Sequence, residues 1–270
     1  MALKNKSFEL WYIDAFAGSG ERTAKRESGG LFEGKPVETT RVQLDGSAKR
    51  ALAIDPPFQR LVFIEQDAKR FAALQKLRLN FSSRRIETLS ADANDALLGI
   101  FSQAPWSSQS NGRGIHRAVV FLDPYDMSVK WRTLEVLAHT GAVDVWYLFP
   151  LNAVVRQLAN DFSAVDSSKQ ASLDEIFGTA DWRSELYREP AQEDLFGETA
   201  GPRRIASQAQ IEAYARRRLL SLFPSVSKPL PLLTPRGSQL FSIFCISANK
   251  SGPAQALVAK GVAHILKKYG

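Results

Sequence analysis

Cysteine is nearly missing: Cys245 is the single one in 270 residues. That excludes an internal disulfide and a cysteine-built metal site, and it fits a reducing cytosol. Histidine is almost as scarce, and His116, His139 and His264 are scattered, so no metal is expected. No run approaches the ~20 apolar residues that a bilayer span needs. The start, Met1-Ala2-Leu3-Lys4-Asn5-Lys6, runs directly into an apolar strand and leaves no room for a signal peptide. The expectation is a cytoplasmic protein that contacts no membrane. A phosphate loop of the Gly-Lys-Ser/Thr type is also lacking, as is a tyrosine-lysine or histidine pair suited to hydride transfer.

Apolar residues are not scarce. They make up 44% of the chain against 23% charged, enough for a full-size core. The net charge of +7 is uneven: residues 163–200 hold nine acidic and three basic side chains, a balance of −6 that leaves +13 for the remainder. A basic body with an acidic flap is compatible with a polyanion such as DNA or RNA. Solubility alone accounts for it equally well, and charge does not decide between the two.

The chain alternates strand and helix five times, with strands expected at 10–15, 60–65, 85–89, 118–122 and 143–149. This pattern gives a doubly wound α/β sheet, mostly parallel and Rossmann-like. Residues 118–122, Ala-Val-Val-Phe-Leu, are apolar throughout, as for a central strand covered on both faces. Three departures stand out. Residues 21–45 are polar without apolar periodicity and read as a long mobile loop. Residues 163–224 break the alternation with helical pieces, the strongest at 208–222, and read as an insertion or cap. A strand pair at 230–233 and 239–246, turning at Thr234-Pro235-Arg236-Gly237, is followed by a helix at 253–268. The antiparallel last strand and helix complete a core at 1–162, with the insertion at 163–224 and the closing unit at 225–270.

Four strand ends carry polar groups: Asp14 with Gly18 and Gly20, Glu65 with Asp67, Asp92, and Asp123 with Pro124 and Tyr125. In an open α/β sheet these ends share one edge, where ligands bind. The first turn, Tyr12-Ile13-Asp14-Ala15-Phe16-Ala17-Gly18-Ser19-Gly20, has glycines where a ligand must approach backbone. Its strand-end acid repels a pyrophosphate and suits a cationic, hydroxyl-rich molecule such as S-adenosylmethionine. Glu65 is placed to accept from ribose hydroxyls and Asp92 from an adenine amino group. Gly20 and Glu65 are 45 positions apart, and without the 25 residues 21–45 the interval falls to the ~20 usual for such a pair. The candidate donor-binding set is Asp14, Phe16, Ala17, Gly18, Gly20, Glu65, Gln66, Asp92 and Ala93; residues 21–45 are a candidate lid. Each also has a structural reading: a plain glycine turn, a surface Glu65, and helix caps at Asp92, Asp123 and Asp126.

These residues resemble the class I S-adenosylmethionine-dependent methyltransferases. Within them the chain resembles the three-Cys-motif partner protein family (TcmP) of bacteria and mobile elements. The likeness lies in the first turn, in Gly46-Ser47-Ala48-Lys49-Arg50-Ala51-Leu52 and in Phe63-Ile64-Glu65. It continues in Phe121-Leu122-Asp123-Pro124-Tyr125-Asp126-Met127 and in Leu148-Phe149-Pro150 with Arg156. It implies a methyltransferase fold and a partner protein with a three-cysteine, radical-S-adenosylmethionine-like motif. Asp123-Pro124-Tyr125-Asp126 is also similar to the Asp-Pro-Pro-Tyr motif of nucleic-acid amino-methyltransferases, but lacks the second proline. That likeness implies Asp123, the Pro124 carbonyl and a stacking Tyr125 around a target amine. The expected activity is methyl transfer to an amino group of a nucleobase, with Arg216, Arg217 and Arg218 on phosphates. The alternatives are a non-catalytic or regulatory partner protein, and methylation of a small molecule or protein.

Overall fold

Alternating side chains on short apolar strands bury both faces of the central sheet. Trp11 and Ile13 of β1 (Glu9–Asp14) face one hydrophobic cluster, and Tyr12 between them faces the other. The computed structural model describes residues 8–30, 35–106, 116–189 and 201–269, without the side chains of 22–44, 254, 257 and 265–269. Residues 107–115 of the Ser/Gly/Asn-rich connection and 190–200 of the acidic stretch lie outside the described residues.

After β1 come β2 (Glu21–Gly30) and β3 (Lys35–Asp45), then α1 (Ser47–Leu52), β4 (Arg60–Ile64), α2 (Ala68–Asn80), β5 (Ile86–Leu89) and α3 (Ala93–Phe101). The second half of the unit is β6 (His116–Leu122), α4 (Trp131–His139), β7 (Val143–Phe149) and α5 (Leu151–Gln157). A helical stretch follows, α6 (Ser167–Phe177) and α7 (Trp182–Leu186), with a two-residue ladder of β8 (Tyr187–Arg188) on β9 (Arg203–Arg204). The chain closes with α8 (Gln208–Leu222), β10 (Ser225–Val226), β11 (Leu230–Leu233), β12 (Gln239–Ser247) and α9 (Gly252–Tyr269).

The main sheet runs β10-β12-β7-β6-β1-β4-β5, with β11 also paired to β12. Strands β5, β4, β1, β6 and β7 are parallel, and β12 is antiparallel to β7, with Ser242 opposite Phe149 and Ser247 opposite Asp144. The expected doubly wound, mostly parallel sheet is therefore the one observed. The strand order reverses between β1 and β6, which opens a crevice at their carboxyl ends.

Residues 21–30 and 35–45 correct the expectation of a mobile loop: they pair as the two antiparallel strands of a hairpin, with Glu21 opposite Asp45 and Thr23 opposite Gln43, and residues 31–34 of that stretch lie outside the described residues. Its β-branched residues, Thr23, Val37, Thr39, Thr40 and Val42, favour extended backbone without the alternation of a half-buried strand. Gly46 donates its N–H to the Gly20 carbonyl at 2.9 Å, so the hairpin leaves and rejoins the unit across one hydrogen bond. A Cβ on Gly46 would stand 2.8 Å from the Gly20 carbonyl carbon, and only glycine permits that approach.

The stretch 163–224 packs into the same cluster as the sheet. Leu173, Phe177, Trp182, Ile211 and Tyr214 are buried with Trp131, Val145 and Phe149. On the opposite face α1 and α2 bury Ala48, Leu74 and Leu77 against Tyr12, Leu61 and Phe63. Among the described residues no helix is long and apolar enough to cross a membrane.

Candidate functional site

The turn after β1 is held on both sides. Ala15 N–H donates to the Phe121 carbonyl on β6 and Ala17 N–H to the Ile64 carbonyl on β4, at 3.1 and 3.0 Å. Gly18 and Gly20 have φ of 62° and 76°, a left-handed conformation that disfavours any side chain. Space around them differs. A Cβ at Gly18 would meet nothing within 4 Å, whereas one at Gly20 would touch Leu77 at 3.0 Å. Gly18 leaves open room at the turn, and Gly20 seats α2 beneath it.

Beside this turn lies a cavity of about 420 Å³, lined by Phe16, Glu65, Gln66, Asp92, Ala93 and Tyr125 with Asp67, Arg70 and Ser128 among its other walls. It gathers the ends of β1, β4, β5 and β6, within the size range of a small-molecule site. Glu65 is buried at 6% exposure and accepts the Asp67 N–H through Oε1 at 2.8 Å. Its second oxygen lies outside that bond. Asp92 caps α3, accepting from Asn94 N–H and Asp95 N–H at 2.9 and 3.2 Å through Oδ1. The helix-cap reading of Asp92 is thus realised, on a residue that also faces the cavity.

Asp14, Ala17, Gly18 and Gly20 do not line this cavity, and neither do Asp123 and Pro124. The expectation of an Asp14 carboxylate beside a cation is corrected. Asp14 is fully buried, its Oδ1 accepts a long bond from Phe16 N–H at 3.4 Å, and its Oδ2 has no hydrogen-bond partner. Burial pushes its carboxyl up to about 7; the Ser47 hydroxyl and Phe16 N–H oppose the rise, and nearby Asp123 and Glu65 add to it. Burial, then the neighbouring Asp14 and Asp123 charges, also raises the Tyr12 hydroxyl. Asp14 therefore sits behind the turn as a support.

Tyr125 is 69% exposed, and the Arg70 guanidinium lies 4.7 Å above its ring. Pro124 is buried and Asp123 exposed. Two contributors were not among the sequence candidates. Arg70 comes from the first turn of α2, where its N–H is capped by Asp67 at 2.9 Å. Asn94 is buried, donates to the Ser128 carbonyl, and accepts from Lys130 N–H and Thr133 Oγ1 at 2.9 and 2.8 Å. It ties α3 to the loop that carries Tyr125. An amide at the second position of the helix, Ala93-Asn94-Asp95-Ala96-Leu97-Leu98, on a residue not needed for the cap that Asp92 supplies, is the available signal.

The arginine triad is also corrected. Arg216 donates to the Ser227 and Val226 carbonyls, both at 2.8 Å. Arg217 pairs with Glu185. Arg218 donates to the Phe177 carbonyl at 2.9 Å and lies 4.9 Å above the Trp131 ring. Their guanidinium groups join α8 to its neighbours, and phosphate contact is not the role this geometry favours. Among the described residues no group of histidine, cysteine and carboxylate side chains is arranged to hold a metal.

No family model and no curated protein matches the chain. Among solved structures it is similar to a Legionella pneumophila protein of family DUF519, 13% identical over 99% of this chain and 86% of that one, with a TM-score of 0.49. It is also similar to a SAM-dependent methyltransferase of Methanosarcina mazei, 11% identical over 90% and 92%, TM-score 0.37. A third is a 16S rRNA adenine methyltransferase of Catenulisporales acidiphilia, 11% identical over 90% and 88%, TM-score 0.34. Likeness at this level carries no functional argument, and the fold rests on the strand order above.

Proposed function

We propose that the chain is a methyltransferase that binds S-adenosylmethionine along the carboxyl edge of its sheet and acts on an amino group of a nucleobase. One observation carries the reading: a single cavity joins Phe16, Glu65, Gln66, Asp92, Ala93 and Tyr125 from four successive strand ends. In it, Phe16 and Ala93 supply apolar contact for the adenosyl portion. Glu65 accepts from the ribose hydroxyls through the oxygen not held by Asp67, and Asp92 accepts from the adenine amine. The left-handed turn at Gly18 leaves room for the methionine portion. When bound, S-adenosylmethionine supplies an electrophilic methyl, so the protein's task is mainly to position the acceptor. Asp123 and the Pro124 carbonyl are the groups assigned to the target amine, and a paired base would have to be flipped to reach them.

The test is titration calorimetry with S-adenosylmethionine and S-adenosylhomocysteine. Binding is expected, and Glu65→Ala should weaken it at least tenfold, as for loss of hydrogen bonds to a charged group at about 1.5–3 kcal/mol. No binding of either compound sinks the reading.

A second reading is favoured by the Arg70 guanidinium over Tyr125, which covers one face of the ring on which a base would stack. In it the chain binds the donor or its product without transferring a methyl, as the partner of a three-cysteine-motif protein. Donor binding together with no labelled-methyl transfer to DNA or RNA, in wild type and in Arg70→Ala, supports this reading.

A further inference from the structure

Several basic side chains around the sheet are answered by carboxylates: Lys49 pairs with Glu21, Arg60 with Glu87 and Arg217 with Glu185. Helix α2 departs from this. Between Asp67 and Glu87 the chain holds six basic residues and no acidic one. Two of the six are engaged, Arg85 by Glu9 and Arg84 by the Leu52 carbonyl at 3.2 Å. The other four, Lys69, Arg70, Lys76 and Arg78, are exposed. Among the described residues no carboxylate lies within ion-pair distance of any of them.

Their arrangement follows from the helix. Leu74 and Leu77 are its buried residues, so Lys69 and Lys76, seven positions apart, fall on one flank and Arg78 on the other. The helix has 13 residues and is roughly 20 Å long, the length of about six stacked nucleotides at 3.4 Å each. Exposed rings stand at both ends. At the first turn the Arg70 guanidinium lies 4.7 Å above the Tyr125 ring, and both residues line the donor cavity. Just past the last turn, Phe81 is 38% exposed. Cations along a backbone track, with rings on which bases stack, are the combination that holds single-stranded nucleic acid. An anionic membrane would also suit the charge, but Leu79 is the one large apolar side chain that α2 itself exposes, too little for interfacial insertion.

We propose that α2 is the docking surface for a single-stranded stretch of nucleic acid. Its phosphates lie along Lys69, Lys76 and Arg78, and one end reaches the cavity at Tyr125. The inference rests on the nucleobase reading above and adds the path of the strand. An unpaired base also reaches the cavity without being flipped out of a duplex.

The test is fluorescence anisotropy with a short labelled RNA strand of mixed sequence and with the same strand in a duplex, from roughly 50 to 200 mM salt. The single strand should bind at least tenfold more tightly than the duplex. The combined variant Lys69→Gln, Lys76→Gln and Arg78→Gln should weaken its binding at least tenfold at the lower salt. The slope of log affinity against log salt should fall by about 2, at about 0.7 per lost phosphate contact. The control Arg188→Gln, Arg236→Gln and Lys260→Gln removes the same charge from exposed positions elsewhere and should change the affinity less than twofold. If the combined α2 variant is misfolded by circular dichroism, each single variant should lower the slope by about 0.7. No salt-dependent strand binding, an equal loss in the control, equal binding of the duplex, or sedimentation with phosphatidylserine vesicles in place of strand binding overturns the proposal. S-adenosylhomocysteine calorimetry on the wild type separates it from the donor reading. Donor binding without strand binding sinks the α2 surface alone; strand binding without donor binding upholds that surface and sinks the methyltransferase reading.

Discussion

Ionising Asp14 means creating a charge with no exposure to water and one unpartnered oxygen. Raising a carboxyl from 3.8 to about 7 corresponds to roughly 4 kcal/mol. Because the folded value is the higher one, the folded state holds the proton more tightly than the unfolded chain. The associated stability is complete below the unfolded value near 4 and is lost as pH rises towards 7. Urea unfolding from pH 4 to 8 should show this loss in the wild type. Asp14→Asn should remove it and be the more stable protein at pH 8, by up to about 4 kcal/mol. The arginines of α8 give the opposite kind of expectation. Arg216→Ala strips two carbonyls of a charged donor and should cost about 2 kcal/mol in the same assay. Exposed Arg217→Ala should cost under about 0.5 kcal/mol, and fluorescence anisotropy on duplex DNA should change with neither. At this scale the sequence was legible where a residue type is demanded by a strand end, as at Glu65, Gln66 and Asp92. It was not legible for Asp14 or the Arg216 group, because burial and carbonyl partners are set by elements distant in the chain.

Elements were read best where hydrophobic period and turn residues agree. The helix at 208–222 and the turn at 234–237 are found at those positions. Residues 21–45 were misread because a polar hairpin exposes too little apolar surface to impose a pattern. Its geometry still explains the spacing, since the Gly20 carbonyl and Gly46 N–H close the unit without it. Replacing 22–44 by a two-residue turn should leave the circular dichroism spectrum native-like and the melting temperature within a few degrees. Unfolding of that variant would show that the hairpin belongs to the core. S-adenosylhomocysteine binding measured on it would then ask directly whether the hairpin is needed at the donor edge.

Across the whole molecule, the core does not stop at residue 162. Helices α6 to α8 cover Trp131 and Phe149, and β12 supplies the antiparallel neighbour of β7. A chain ending at 162 should therefore fail to give dispersed amide signals by NMR. It would expose several large side chains worth about 1.5–3 kcal/mol each, against a total stability of about 5–15 kcal/mol. The antiparallel last strand is legible in the sequence, whereas the packing of 163–224 into the core is not, because those helices meet Trp131 and Phe149 only in the fold. The pairing of β12 with β7 bears on synthesis in the cell. At about 5–20 residues per second, the ribosome finishes β12 roughly 5–20 s after β7. For that interval the nascent protein carries a bare parallel edge and uncovered aromatic rings. It is during translation that such a chain has most need of a chaperone.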